Sequence, residues 1–115
     1  MATIKSYTDL EQSKKLTEIL PLESADMGWY YSSNPQAARN QMWAGTKAEN
    51  ADIPCWSLAA LLGVLPYGYS AILTKSFNGK DYYCKIDGKP FETETDNPVD
   101  ACVVMIEKLH ELNFL

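Results

Sequence analysis

An α+β domain is the fold class the sequence predicts: a three-stranded antiparallel meander over residues 69–95, covered by a central and a C-terminal helix, with an N-terminal helix at the side. Three observations carry this expectation. The dipeptides Asn78-Gly79 and Asp87-Gly88 are two-residue hairpin signals that cut this region into three short strands. An apolar run opens at Cys55-Trp56 and continues through Leu58, Leu61 and Leu62 to Leu65-Pro66, which suits a buried helix. After Asn97-Pro98, the residues Val99, Cys102, Val103, Ile106 and Leu109 recur with helical spacing.

The first helix is expected over Asp9 to Leu20. Thr8-Asp9-Leu10-Glu11 has the form of a capping box, with Thr8 as the cap, and Pro21 ends the element. Its apolar stripe is Leu10, Leu16, Ile19 and Leu20, with Glu11, Lys14, Lys15 and Glu18 on a solvated side. Residues 28–51 are interrupted by Gly28, Ser32, Ser33, Asn34, Gly45 and Asn50. Within them Asn34-Pro35 can start a short helix that Gly45 closes.

The meander can be given a register. A tight turn at Asn78-Gly79 sets Leu73 opposite Cys84 and Ala71 opposite Ile86, and one at Asp87-Gly88 sets Cys84 opposite Phe91. Tyr82, Cys84 and Ile86 then share the core face, while Tyr83, Lys85, Glu92 and Glu94 meet water. The last helix starts at Asn97-Pro98, with Asp100 in its first turn, and runs to about Asn113. Met105 and Leu112 widen its stripe, and the core is expected where Cys84, Leu73, Ile86 and Phe91 meet Leu58, Leu62, Val103 and Ile106.

A chain of 115 residues with 46% apolar and 22% charged residues fits one globular domain, residues 1–115, folding alone or as a homo-oligomer. The net charge is −5 and the 10 Lys and Arg residues form no basic run, so direct nucleic-acid binding is not expected. Three cysteines, at 55, 84 and 102, are an odd number without a close pair, which fits a reducing compartment rather than a disulfide scaffold. With no basic-then-apolar start and no apolar run approaching ~20 residues, the expectation is a soluble cytoplasmic protein without a membrane partner.

Cys55 is the first candidate for chemistry, because the dipole of a helix that begins there would favour its thiolate. The order Cys55-Trp56-Ser57-Leu58-Ala59, followed by a sheet, resembles the nucleophile helix of papain-like enzymes. Such enzymes take their base from a histidine on a later strand, whereas the one histidine here, His110, falls late in the last helix. The default for Cys55 is a buried packing residue.

Metal chemistry has little support. No close Cys or His pair exists, and Glu107-x-x-His110 is half of a di-metal motif whose second half the sequence lacks. Lys108 and His110 read instead as cations in the last helical turn, where the dipole favours them. Glu92, Glu94, Asp96 and Asp100 are close in sequence, but nothing local sets any pair apart for acid–base work. The 6 glycines form no phosphate-binding fingerprint, and no cofactor is expected. Trp29, Tyr30, Tyr31, Met42 and Trp43 are the candidate binding residues, since Trp, Tyr and Met are enriched at interface centres. The alternative is that they fold residues 28–51 back onto the core.

Three blocks carry a resemblance. They are Thr8 to Leu16 continuing to Ile19-Leu20-Pro21-Leu22-Glu23-Ser24-Ala25-Asp26-Met27, then Pro54-Cys55-Trp56-Ser57-Leu58-Ala59-Ala60-Leu61-Leu62, then Asp96-Asn97-Pro98-Val99-Asp100-Ala101-Cys102. Together they resemble a family of small uncharacterised proteins carried by phages and mobile elements of gut bacteria. The resemblance implies a setting and no activity, cofactor or catalytic residue, and it lapses between Met27 and Asp52. The expectation is therefore a non-catalytic accessory protein that acts by protein–protein interaction in phage or mobile-element biology. A papain-like thiol hydrolase using Cys55 is the first alternative, and an acidic nucleic-acid mimic the second.

Overall fold

A computed structural model describes residues 6–31, 42–46, 51–65, 71–75, 80–86 and 92–113. In chain order they form α1 (Leu10–Thr17), a 3-10 turn (Leu22–Ser24), β1 (Met27–Tyr31), β2 (Met42–Gly45) and β3 (Ile53–Cys55). Then come α2 (Leu58–Gly63), β4 (Ala71–Lys75), β5 (Tyr82–Ile86), β6 (Glu92–Thr95) and α3 (Pro98–Glu111). The strands make two three-stranded antiparallel sheets, ordered β2-β1-β3 and β4-β5-β6, so the fold is α+β.

The capping box of α1 exists, displaced by one residue from its expected place. Asp9 is the cap: its carboxylate accepts from Gln12 N, and the Gln12 side chain accepts from Asp9 N. Thr8 is buried instead, and its hydroxyl turns inward. The buried face of α1 is Ser13, Leu16 and, in the turn beyond, Leu20, a stripe at i, i+3 and i+7 that includes a polar residue.

The first sheet was not expected. Met42–Gly45 is strand, so Gly45 does not close a helix; Asn34-Pro35 lies outside the described residues. Gly28 and Gly45 are cross-strand partners, and Gly28 also pairs with Pro54. Residues that look like breakers are tolerated here for separate reasons. Pro54 sits on an outer strand, where a missing N–H need not interrupt a ladder. A Cβ on Gly28 would overlap the Ala51 Cβ, so only glycine lets residue 51 lie over β1.

The meander follows its predicted register on one side. Ala71 pairs with Ile86 and Leu73 with Cys84, the register that the Asn78-Gly79 dipeptide requires. On the other side Cys84 pairs with Thr93 and Lys85 with Glu92, two residues from the expected Cys84–Phe91 pairing. The expected register would have put Pro90, which has no N–H, into the ladder beside Phe91. A shift of two keeps every side chain on its face, so Cys84 and Ile86 are buried and Lys85, Glu92 and Glu94 exposed, as their alternation requires. Phe91 lies outside the described residues.

Helix α3 begins as predicted: the Asn97 side chain accepts from Val99 N and Asp100 N, and Pro98 fills the first position. It ends at Leu112 and Asn113, the latter with φ of 66°, a left-handed conformation that Asn tolerates. Val99, Cys102, Val103, Met105, Ile106 and Leu109 are buried, whereas Leu112 is exposed at this end. The helix lies on β5 and β6, and α2 packs against α3 rather than directly on the sheet. Consequently α3 is the central element, with the meander on one side and α2 on another.

Helix α2 begins later than expected, with Ser57 as its cap, because Ile53–Cys55 is drawn into the first sheet. That resets its phase: Leu61 and Leu65 are buried, Leu58 and Val64 half-buried, and Leu62 faces outward at 37% exposure. Leu61, not Leu62, is the core residue of this helix. We expect Leu61→Asp or Ile106→Asp to lower the unfolding free energy by about 3 kcal/mol or more, and Leu62→Asp by under about 1 kcal/mol, measured by urea titration. A second expected outcome concerns Gly28. Gly28→Ala should cost about 2 kcal/mol, and adding Ala51→Gly should restore most of it in a double-mutant cycle.

Candidate functional site

Cys55 closes β3 rather than opening a helix, and it has no solvent exposure. Its surroundings come from the segment before α1, which runs antiparallel beside residues 56–58. Thr8 N donates to Trp56 O, Leu58 N to Ser6 O, and Tyr7 bridges Ser57. Through this pairing the Thr8 side chain enters the interior beside the Cys55 sulfur.

The hydrogen bonds there have one consistent direction. Trp29 Nε1 can only donate, and it lies 3.1 Å from Ser13 Oγ and 3.3 Å from Thr8 O. Ser13 Oγ is 2.7 Å from Thr8 Oγ1, and Trp56 N donates to Thr8 Oγ1 at 3.2 Å. Thr8 Oγ1 in turn donates to Cys55 Sγ at 3.5 Å, and the Cys55 thiol donates to Thr8 O at 3.5 Å. If Ser13 gives its proton to Thr8, each hydroxyl and thiol proton has an acceptor. Among the described residues no buried side-chain nitrogen or oxygen lacks a partner.

Such a site holds a thiol, not a thiolate. Burial pushes the Cys55 thiol above its ordinary value of 9.0, the negative charge of Asp26 adds to this, and hydrogen bonds to Thr8 and Ser13 offset part of it. The expected dipole effect goes elsewhere. At the start of α2, Ala60 N is capped by Ser57 Oγ, while the Asp26 carboxylate accepts from Ser57 N at 2.9 Å and from the Ser57 hydroxyl. Ser57 and Asp26 hold the position that the sequence pattern assigns to Cys55.

His110 is exposed in the last turn of α3, and Glu107 one turn earlier is half-buried. The hydrogen bonds of the Cys55 sulfur go to Thr8, on the segment before α1, and to neither of these two residues. Among the described residues no group of three or more His, Cys, Asp or Glu side chains could hold a metal ion. Asp100 accepts from Gln12 Nε2 at 2.6 Å, which ties the starts of α1 and α3 together. On the outer face of the meander, Glu94 lies opposite Tyr83, and its charge holds the exposed Tyr83 hydroxyl above the ordinary tyrosine value.

The candidate binding residues separate. Trp29 turns inward, half-buried, with its indole bonded to Thr8 and Ser13 and its ring edge-on to Tyr7 at 6.0 Å. Tyr30, the next residue along the strand, is half-buried on the other side. Tyr31 and Met42 are backbone partners, as are Tyr30 and Trp43. Ser13, Asp26 and Ser57 were not singled out by sequence, and Thr8 was singled out only as the cap of α1. The available signal was Ser13, which completes the spacing of Leu16 and Leu20.

No helix among the described residues is long and apolar enough to cross a membrane. No family model, curated protein or solved structure matches the chain.

Two outcomes are expected from this geometry. Thr8→Val removes a hydroxyl with three partners and should cost about 2 kcal/mol in urea unfolding, because Trp56 N and the Ser13 hydroxyl lose their acceptor. A raised thiol pKa means that the folded state retains a proton the unfolded chain releases, so stability is full below pH 9.0 and falls as pH rises through the folded-state value. Thermal unfolding between pH 7 and 11 should show this decline, and Cys55→Ser should make it shallower.

Proposed function

We propose that the protein is a non-catalytic accessory protein that binds another protein through the β1–β2 hairpin. The observation that carries this reading is the position of β2. It has β1 on one side and no strand on the other among the described residues, so its backbone can accept an extended segment of a partner. The hairpin also gathers Tyr30, Tyr31, Met42 and Trp43, residue types that anchor interfaces. Trp29 is withdrawn from the proposed surface, since its indole is spent on Thr8 and Ser13. The enclosed, protonated Cys55 supports a binding role over a thiol hydrolase. The similarity of three sequence blocks to proteins of phages and mobile elements supports a partner in the bacterial host.

Affinity capture from host lysate tests the reading, with wild type, Trp43→Ala and Glu94→Ala as baits and each partner re-measured as a purified protein. Trp43→Ala should weaken direct binding ~30-fold, the equivalent of about 2 kcal/mol at an interface anchor, with an unchanged melting curve. Identical partners and affinities for wild type and Trp43→Ala would remove the hairpin from the reading. Salt-sensitive capture lost in Glu94→Ala would instead favour the acidic outer face of the meander as a nucleic-acid mimic.

A further inference from the structure

Two of the three cysteines are brought together by elements that the functional reading does not use. Cys84 is central in β5, on the face that α3 covers, and its cross-strand partner in β6 is Thr93. The Thr93 hydroxyl donates to Ala101 O at 2.8 Å, which fixes the first turns of α3 against this point of the sheet. Cys102 is the next residue, fully buried on the same helix. Register and hydrogen bond thus converge on one contact between a strand thiol and a helix thiol. Each thiol shifts the other, the interaction with Cys102 lowering Cys84 and the interaction with Cys84, together with burial, raising Cys102. Cys55 has no such neighbour, since its sulfur is bonded to Thr8.

We propose that Cys84 and Cys102 are a latent disulfide pair, a site of reversible oxidation by a small hydroperoxide that locks α3 onto the meander. The chemistry balances. The Cys84 thiolate attacks one oxygen of hydrogen peroxide; the S–O bond forms, the O–O bond breaks, and the departing hydroxide takes a proton to leave as water. The Cys102 sulfur then attacks the sulfenic sulfur of Cys84, the S–S bond forms, the S–O bond breaks, and a second water carries off the Cys102 proton. Two thiols are oxidised and one peroxide is reduced. Cys84 takes the first step because the interaction with Cys102 stabilises its thiolate, while Cys102 is held protonated by that interaction and by burial. Neither sulfur is exposed, so oxidation proceeds through transient lifting of α3 and is slow compared with that of a surface thiol.

The pair encloses the chain from residue 84 to residue 102, including all of β6 and the cap of α3. Closing a loop of this length restricts the unfolded chain, so the oxidised form is the more stable one. The test is prolonged exposure of the folded protein to hydrogen peroxide, followed by intact mass, peptide mapping, thiol counting in denaturant and a melting curve. Wild type and Cys55→Ser should each lose two hydrogens, yield a peptide joining Cys84 to Cys102, and melt about 10 °C higher, all reversed by dithiothreitol. Cys102→Ala should give no such peptide and no rise, with Cys84 advancing to sulfinic acid. The proposal is overturned if wild type retains three free thiols, if the bond involves Cys55 or joins two chains, or if the linked protein melts lower.

Discussion

Thr8 Oγ1 has room for two accepted hydrogen bonds and one donated, and the structure fills all three places, with Ser13, Trp56 and Cys55. The Trp29 indole N–H can only donate, and with Ser13 donating to Thr8 every other proton of the group also finds an acceptor. From there each proton has one consistent destination, ending on the Thr8 carbonyl. A polar chain of this kind, enclosed among hydrocarbon, rigidifies when every member is satisfied and is costly when one is missing. It joins β1 through Trp29, α1 through Ser13, the N-terminal segment through Thr8, and β3 through Cys55. Four elements far apart in sequence are therefore placed by one group of side chains.

The first sheet depends on that placement for its edge. The segment at residues 6–8 lies along residues 56–58, giving partners to backbone groups just beyond β3. The same contact decides where α2 can begin, since residues 53–55 are held extended and Ser57, with Asp26, is the first residue free to cap a helix. Trp56, the largest side chain without exposure among the described residues, then points inward between the two, its Nε1 bonded to Ser24 Oγ at 2.9 Å. From Leu58 onward the burial phase of α2 follows, with Leu61 and Leu65 inward. The Gln12–Asp100 bond carries the connection across to α3, whose opposite side rests on the meander.

How much of this was legible in the sequence depends on whether the determinant was local. The meander and α3 were, because Asn-Gly turns, period-two alternation and an Asn-Pro cap act within a few residues. Even there the second register needed more than Asp87-Gly88: Pro90 and the Thr93–Ala101 bond favour pairing displaced by two residues. The first sheet was illegible because glycine and proline in Gly28, Gly45 and Pro54 mark breaks unless one knows that Ala51 crosses β1 and that β3 is outermost. Likewise the capping box could be read one residue too early, since Thr8 is a good cap in isolation and only the arrival of Trp56 and Cys55 claims its hydroxyl. Of the candidate site, the burial of Cys55 followed from its company of apolar residues, but its partners come from 47 residues away and left no local trace.

The three thiols illustrate how position governs chemistry more than residue type does. Cys55, Cys84 and Cys102 share zero exposure, yet their neighbours differ. Among the described residues the Cys55 sulfur is hydrogen-bonded to the Thr8 hydroxyl and carbonyl, which hold its proton and offer no sulfur to bond with. Cys84 has a second thiol, so it has a partner for a covalent bond once an oxidant arrives. A cysteine beside Thr8 and Ser13 is thus a fixed member of a hydrogen-bond chain, while one beside Cys102 retains redox chemistry within an apolar interior.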